Sequence, residues 1–141
     1  MRKTIHIING PNLNLLGLRE PGLYGNQSME AYLDELRQAN PEIDIHYFQS
    51  NIEGELIGAI QTLHQKTHGL IINAGAYSHT SIGIADAIRG VDIPKVIEVH
   101  ISNVYAREEY RKHSYIASVC AGSISGLGLQ GYALALQALL V

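Results

Sequence analysis

A single phenol and a single cation, Tyr24 and Arg19, lie five residues apart within residues 10–27 of the chain. An unperturbed tyrosine titrates near pH 10, but a neighbouring cation can lower such a pKa by roughly 1–3 units. The pair therefore predicts a general base, the Tyr24 phenolate, whose charge Arg19 stabilises. The alternative is that Arg19 is a solvated charge and Tyr24 a packing anchor, and the residues alone leave both open.

The segment that carries this pair is too long for an ordinary connection between a strand and a helix. Such connections usually take about 2–6 residues, and longer ones are usually lids, binding loops or disordered segments. Leucines recur through the segment and need a surface to pack on, which argues against disorder. We therefore predict an active-site lid over about residues 10–27.

Glu98 and His100 form a second candidate pair, two residues apart on a predicted strand. Side chains at this spacing point to the same face of a strand, so Glu98 can accept a hydrogen bond from His100. Such a bond fixes the imidazole tautomer and favours a protonated ring, which can act as a general acid. A structural pair at a strand end is the alternative. A metal site that adds His79 is a weaker one, because the spacing matches no familiar ligand pattern.

Other polar groups lie in three short stretches and one helix. The loop 73–80 offers amide and imidazole groups for a polyol, and residues 100–103 offer backbone amides and a hydroxyl for a carboxylate. The charged run 107–113 is typical of a solvated helix, although one arginine could face inward. Asp86, three residues before Arg89 in a predicted helix, indicates an exposed ion pair.

The composition is that of an ordinary globular protein. The chain has 141 residues, of which 46% are hydrophobic and 16% charged, and its net charge of −3 favours neither a nucleic-acid partner nor a basic membrane-binding surface. One cysteine, Cys120, excludes an internal disulfide and fits a reducing compartment. No apolar run reaches the roughly 18 residues of a membrane span. We therefore expect one catalytic domain over residues 1–141 and a cytoplasmic location.

Apolar stretches alternate with stretches of helical period along the chain. This alternation predicts a parallel sheet covered on both faces, in a flavodoxin-like, three-layer doubly wound α/β fold with a five-stranded parallel sheet. Ligands of such folds bind outside the carboxyl ends of the strands, where Asn9, Asn73 and His100 are expected. The strands are predicted at residues 4–9, 43–48, 69–73, 95–99 and 116–120, and the helices at 28–40, from a capping box at 50–53 to 66, at 80–90 and at 126–140.

Five segments together resemble one family, the type II 3-dehydroquinate dehydratases. They span essentially the whole chain in the family's order, and the combination is far more specific than any one of them. The resemblance implies elimination of water from 3-dehydroquinate through an enolate, without a cofactor or a metal, to give 3-dehydroshikimate. It leaves open whether the enzyme serves aromatic biosynthesis or quinate breakdown. The segments are Ile8–Gly17 with Arg19 and Tyr24-Gly25, Asn51–Leu56, Asn73–Ser81, Glu98–Asn103 and Gly126–Tyr132.

The resemblance also implies a role for each catalytic residue. Tyr24 would remove the C2 proton, and Arg19, acting from the lid, would keep the phenol ionised. Asn12 would hold a water that stabilises the enolate oxygen. His100 would protonate the departing C1 hydroxyl, and Glu98 would orient His100, which agrees with the argument from the strand face.

Substrate binding and assembly follow from the same resemblance. Asp86 matches a residue that approaches the site of a neighbouring subunit, which requires a trimeric contact. The family typically assembles four trimers into a dodecamer, so we expect a homo-oligomer of this kind whose ligand is a small molecule. The positions that match the family's other substrate-binding residues are Asn73, His79, Ile101, Ser102 and Arg111.

Two other kinds of function compete with this one. A non-catalytic flavodoxin-like module for a nucleotide or flavin would need a loop after the first strand that cradles a phosphate. The chain has Pro11-Asn12-Leu13-Asn14 there, and it contains no tryptophan to wall a flavin. A scaffold that keeps the oligomer but has lost activity is disfavoured by the presence of Arg19, Tyr24 and His100.

Overall fold

The computed structural model describes residues 2–18 and 27–141. Arg19, Tyr24 and the middle of the predicted lid therefore lie outside the described residues. The described part of the chain forms five strands and four α-helices. The strands are β1 (Lys3–Asn9), β2 (Ile43–Gln49), β3 (Gly69–Asn73), β4 (Val96–His100) and β5 (Gly122–Ser125), and the helices are α1 (Met29–Ala39), α2 (Glu53–Thr62), α3 (Ile82–Gly90) and α4 (Gln130–Leu140).

The five strands form one parallel sheet in the order β2-β1-β3-β4-β5. This is the strand order of the flavodoxin-like doubly wound fold, so the predicted fold class is confirmed. The register places Asn9 beside Asn73, and the Gly10 N–H donates to the Asn73 carbonyl at 2.7 Å. The carboxyl ends of β1, β3 and β4 therefore meet at one edge of the sheet.

Two helices cover each face of the sheet. Alternate residues of a strand point to opposite faces, and apolar residues at both kinds of position give each face a core cluster for its helices. Ile7 of β1 belongs to the core cluster under α1 and α4, and the adjacent Ile8 belongs to the cluster under α2 and α3. Leu33 and Leu136 pack in the first cluster, and Ile60 packs in the second. Full burial of such a side chain contributes about 1.5–3 kcal/mol, so the two apolar layers hold the strand ends in register.

Helix starts follow the predicted chemistry in α1 and shift by a few residues in α3. Ser28, the first residue of the helix predicted at 28–40, caps α1, since its hydroxyl accepts the Ala31 N–H at 3.2 Å. Ser81 caps α3 by accepting the Ile84 N–H at 2.9 Å. The chain before Ser81 forms a short 3₁₀ helix, Gly75–His79, which delays the start of α3.

The predicted capping box of α2 is wrong in detail. Ser50 donates its hydroxyl hydrogen to Glu55 rather than pairing with the backbone of Glu53. The helix also ends four residues before Lys66, and Gln65 has a left-handed φ of 58° that a continuing helix does not allow. The apolar residues at helical spacing, Leu56, Ile60 and Leu63, are nevertheless all buried.

The fifth strand lies further along the chain than predicted. The apolar run 116–120 contains a short 3₁₀ helix, Ala117–Val119, and Ile116 is fully buried against the core of α2 and α3. Its apolar residues therefore serve packing between elements and not the sheet. The strand itself has the sequence Gly-Ser-Ile-Ser, whose small polar residues give little apolar signal.

Two glycines turn the chain between β5 and α4, which is why α4 starts at Gln130 and not at residue 126. Gly126 and Gly128 have φ values of 88° and 63°, a backbone region that glycine adopts without strain. Their N–H groups donate to the carbonyls of His100 and Ile101, at 3.1 and 3.0 Å. The turn thus fixes the backbone that leaves the end of β4. Within residues 2–18 and 27–141, no helix is long and apolar enough to cross a membrane.

Candidate active site

A polar cleft lies at the carboxyl edge of the sheet, where the fold class predicts a ligand site. Its walls come from the segment after β1, the 3₁₀ helix after β3 and the chain that follows β4. Seven of the residues that the sequence singled out line it together. They are Asn12, Asn73, His79, His100, Ile101, Ser102 and Arg111.

Glu98 and His100 form the buried pair that their spacing predicts. His100 Nε2 lies 2.9 Å from Glu98 Oε2, and the Glu98 side chain is 1% exposed. Ser114 and Ser123 donate their hydroxyl hydrogens to the same carboxylate, at 2.6 and 2.9 Å. Burial raises the pKa of Glu98, but the three hydrogen bonds outweigh it and hold that pKa below its usual value. The ionised carboxylate therefore accepts Nε2–H and leaves Nδ1 of His100 for a ligand.

The ring of His79 stacks on the ring of His100, with centroids 5.9 Å apart and planes 20° apart. His79 Nδ1 lies 2.8 Å from the carbonyl of His113, so Nδ1 carries a proton and donates it. Burial lowers the pKa of His79, and the positive groups of His100 and Arg111 lower it further. A neutral His79 then presents Nε2 as an acceptor, which suits a ligand hydroxyl.

The backbone after β4 offers buried donors. The N–H groups of Ile101 and Ser102 donate to no acceptor among the residues that the structure describes, and both residues are buried. The carbonyls of the same two peptide groups, those of His100 and Ile101, accept the N–H groups of Gly126 and Gly128 in the turn before α4. Adjacent free N–H groups in such a bend bind anions such as carboxylates. The Ser102 hydroxyl adds a further polar group beside them and accepts a hydrogen bond from Arg107 at 3.3 Å.

Two arginines of the charged run face the cleft, where the sequence predicted one. The run forms a short 3₁₀ helix, Glu109–Lys112, and no longer helix. Arg111 pairs with Glu108 at 3.0 Å, and its side chain is 21% exposed. Arg107 also lines the cleft and is 13% exposed. Arg107 was not among the residues predicted for the site, although it is the first residue of the same charged run.

Three predicted site residues are not brought to the cleft by the described part of the chain. Arg19 and Tyr24 lie outside the described residues. Asp86 lies on α3 and pairs with Arg89 at 3.0 Å, with 63% of its side chain exposed. Its predicted role concerns the site of another subunit, so a single chain does not test it. Asn12 does reach the cleft, with a left-handed φ of 69° and its N–H bonded to Asn51 Oδ1 at 3.0 Å.

The predicted alternative of a metal site gains no support from geometry. In the described part of the chain, no group of three or more histidine, cysteine, aspartate or glutamate side chains is arranged to hold a metal ion. Glu98 is already bonded to His100 and two serines, and His79 is bonded to a carbonyl. These groups are therefore arranged for proton transfer and hydrogen bonding.

Fold and cleft together define a flavodoxin-like α/β protein whose polar, arginine-lined site suits a small oxygen-rich anion. A family model described as class II dehydroquinase matches residues 3–140. The chain is 52% identical to a 3-dehydroquinate dehydratase of Campylobacter lari over 137 residues, which cover 96% of this chain and 85% of that protein. It is 51% identical to a 3-dehydroquinate dehydratase of Mesorhizobium japonicum over 139 residues, which cover 97% and 96%.

A solved structure agrees with these relatives. The crystal structure of a type II dehydroquinase from Butyrivibrio crossotus superimposes with a TM-score of 0.95, at 44% identity and over 99% of both chains. The chain therefore belongs to the class II dehydroquinase family. The resemblance predicted from five sequence segments is confirmed, and so is the expectation of an enzyme of the hydro-lyase class.

Proposed function

We propose that this chain is a 3-dehydroquinate dehydratase that removes water from its substrate through an enolate, with Tyr24 as the base and His100 as the acid. The observation that carries the proposal is the buried Glu98–His100 pair facing a cleft with two arginines and two backbone N–H groups that donate to no acceptor in the described part of the chain. Membership of the family supplies the substrate. The product is 3-dehydroshikimate, a conjugated enone.

The acid step is supported by the hydrogen bonds around Glu98. The C1 hydroxyl of the substrate departs as water only if it receives a proton as its bond to carbon breaks. The doubly protonated ring of His100 donates this proton from Nδ1, because its Nε2–H is held by the ionised Glu98. A positioned acid of this kind contributes typically 10²–10⁴-fold to a rate.

The base step is supported by the family resemblance, because Tyr24 and Arg19 lie outside the described residues. The Tyr24 phenolate takes the C2 proton, and the electron pair moves into the neighbouring carbonyl to form the enolate. Arg19 stabilises the phenolate, and Asn12 holds a water against the enolate oxygen. Stabilising this developing charge in a site closed by a lid supplies several kcal/mol of the barrier reduction.

The remaining cleft groups bind the substrate. The N–H groups of Ile101 and Ser102, with an amide N–H of Asn73, receive the carboxylate. His79 and Arg111 bind the ring hydroxyls, since one offers an acceptor and the other donors. The support is that all five residues line one cleft and that they offer different polar groups to it, namely backbone N–H groups, an amide, an imidazole and a guanidinium.

Assembly is part of the proposal. Asp86 contacts the site of a neighbouring subunit in a homotrimer, and four trimers form a dodecamer. The support is the match of Asp86 to the family's position and its exposure on α3. One catalytic domain over residues 1–141, a cytoplasmic location and a cofactor-free reaction stay predictions from the sequence.

The test is an absorbance assay for the conjugated enone with 3-dehydroquinate, with and without a chelator. Tyr24→Phe and His100→Ala should each lose orders of magnitude in kcat while the protein stays folded. Tyr105→Phe and His46→Ala are the matched controls, because these side chains are exposed and do not line the cleft. Wild-type protein without enone formation would contradict the activity. Near-normal turnover of Tyr24→Phe would contradict the base, and yellow protein with flavin fluorescence would favour the rival binding module.

A further inference from the structure

A chain of four side chains joined by hydrogen bonds runs behind the cleft. The Tyr132 hydroxyl donates to Asn9 Oδ1 at 2.7 Å and accepts from Asn73 Nδ2 at 3.0 Å. Asn9 Nδ2 donates to the Tyr47 hydroxyl at 3.3 Å. The chain thus joins α4, β1, β3 and β2. Tyr132 and Asn9 are fully buried and Asn73 is nearly so, which shields the two bonds of the Tyr132 hydroxyl from water.

This chain decides which way the amide of Asn73 faces. Tyr132 has one hydroxyl proton, which goes to Asn9, so toward Asn73 its oxygen can only accept. On the other side of the amide, Asn73 Oδ1 accepts the Gly75 N–H at 3.1 Å. A flipped amide would set oxygen against oxygen at Tyr132 and N–H against N–H at Gly75. Because Asn73 lines the cleft, its second amide hydrogen is a fixed donor for a ligand oxygen.

We propose that Tyr132, which does not line the cleft, is a positioning residue for substrate binding, because its hydroxyl holds Asn73 with an amide N–H toward a substrate oxygen. The inference rests on the proposed function, which supplies the substrate. Asn73 makes the contact, and Tyr132 acts through Asn73. Without the Tyr132 hydroxyl, the amide can rotate and present oxygen to a substrate carboxylate, which repels it.

A neighbouring tyrosine is a matched control. Tyr32 belongs to the same core cluster, and its ring lies 6.2 Å from the ring of Tyr132. Its hydroxyl is buried against the backbone near Ala133 but makes no hydrogen bond of acceptable geometry among the described residues. Tyr32→Phe and Tyr132→Phe therefore remove the same atom from the same apolar cluster, and only Tyr132→Phe frees Asn73.

Steady-state kinetics with 3-dehydroquinate separate positioning from a structural effect. Tyr132→Phe should raise KM about ten-fold and change kcat by no more than about three-fold, because a binding contact is lost. Tyr32→Phe should leave both constants unchanged. Loss of folded protein has the opposite signature, a lower apparent kcat at constant KM. An unchanged KM in Tyr132→Phe would overturn the proposal.

A double-mutant cycle tests whether Tyr132 acts through Asn73. In an Asn73→Ala background, Tyr132→Phe should raise KM no further, because the group that it positions is gone. If the KM of the double variant shows the product of the increases seen in Asn73→Ala and in Tyr132→Phe, the proposal is overturned. If Tyr132→Phe does not fold, Asn9→Ala decides, because it removes the acceptor that draws the Tyr132 hydroxyl proton away from Asn73: a higher KM supports the proposal and an unchanged KM contradicts it.

A spectroscopic measurement is independent of turnover. The side-chain amide signal of Asn73, identified in an NMR spectrum by its loss in Asn73→Ala, should exchange its hydrogens slowly in wild type and in Tyr32→Phe. It should exchange faster in Tyr132→Phe. Equal exchange in all three would overturn the positioning. Wild-type protein that does not convert 3-dehydroquinate would contradict the proposed function, while the exchange rates would still report on the amide.

Discussion

Two acid–base pairs of this chain look alike in the sequence and differ in the folded protein. Glu98 and His100 lie two residues apart on β4, and Asp86 and Arg89 lie three apart on α3. Their oxygen–nitrogen distances are nearly equal, 2.9 and 3.0 Å. The side chains of the first pair are 1% and 8% exposed, whereas those of the second are 63% and 65% exposed.

The neighbouring groups, and not the distance within the pair, decide what such a pair can do. An exposed pair is worth about 0–1 kcal/mol, because water solvates both charges. A buried carboxylate has lost that solvation and stays ionised only if donors replace it. Ser114 and Ser123, together with His100, replace it at Glu98. At Asp86 the described contact is the one to Arg89.

The largest effect is expected from Glu98→Gln. The neutral side chain removes the anion that stabilises the doubly protonated ring of His100, so Nε2 keeps the single remaining proton and Nδ1 has none to donate. We expect kcat to fall by about 10²–10⁴-fold, the usual contribution of a general acid. The enone assay measures this loss.

A second glutamate that accepts a serine hydroxyl provides the control. Glu55 is bonded to Ser50 outside the cleft, so Glu55→Gln should leave kcat and KM unchanged. Equal losses in Glu55→Gln and Glu98→Gln would show a general effect of such bonds on folding. Full activity of Glu98→Gln would remove the pair from the mechanism.

The sequence predicted this pair but not its surroundings. Spacing on a strand suffices to place Glu98 beside His100, because side chains two apart share a face. Ser114 and Ser123 lie 16 and 25 residues from Glu98, and only the folded sheet brings them to it. Ser123 was also hidden by the misplaced fifth strand, since the apolar run 116–120 gave a stronger signal than Gly122–Ser125. Local pattern predicts elements and pairs, whereas the donors that solvate a buried charge depend on tertiary contacts.

The pH dependence of stability should show an intermediate effect. The folded-state pKa of Glu98 is lowered, so its contribution to the free energy of unfolding is complete above the unfolded value of about 4.3 and is lost as the pH falls through the lower folded value. The stability of the wild type relative to Glu98→Gln should therefore be greatest near pH 6 and should fall as the pH drops below about 4. Urea denaturation of both proteins from pH 6 to pH 3 measures the difference between their free energies of unfolding. The other carboxylates are present in both proteins, so their contributions cancel in this difference. A difference that does not change with pH would contradict the ionised carboxylate.

The smallest effect on the folding of one chain is expected at the exposed pair. Asp86→Ala and Arg89→Ala break the same contact, so each should change the free energy of unfolding by no more than about 0.5 kcal/mol. Their effects on turnover should differ. If Asp86 reaches the site of a neighbouring subunit, Asp86→Ala lowers activity while Arg89→Ala, its matched control, stays close to wild type.

Measuring molar mass in the same samples makes this comparison decisive. A role across a subunit contact requires that the active species be a trimer or a larger assembly, and that Asp86→Ala lose activity without losing that assembly. A fully active monomer would contradict the shared site. If Asp86→Ala and Arg89→Ala are equally active in an intact oligomer, Asp86 has no role beyond the surface ion pair that its spacing from Arg89 predicts.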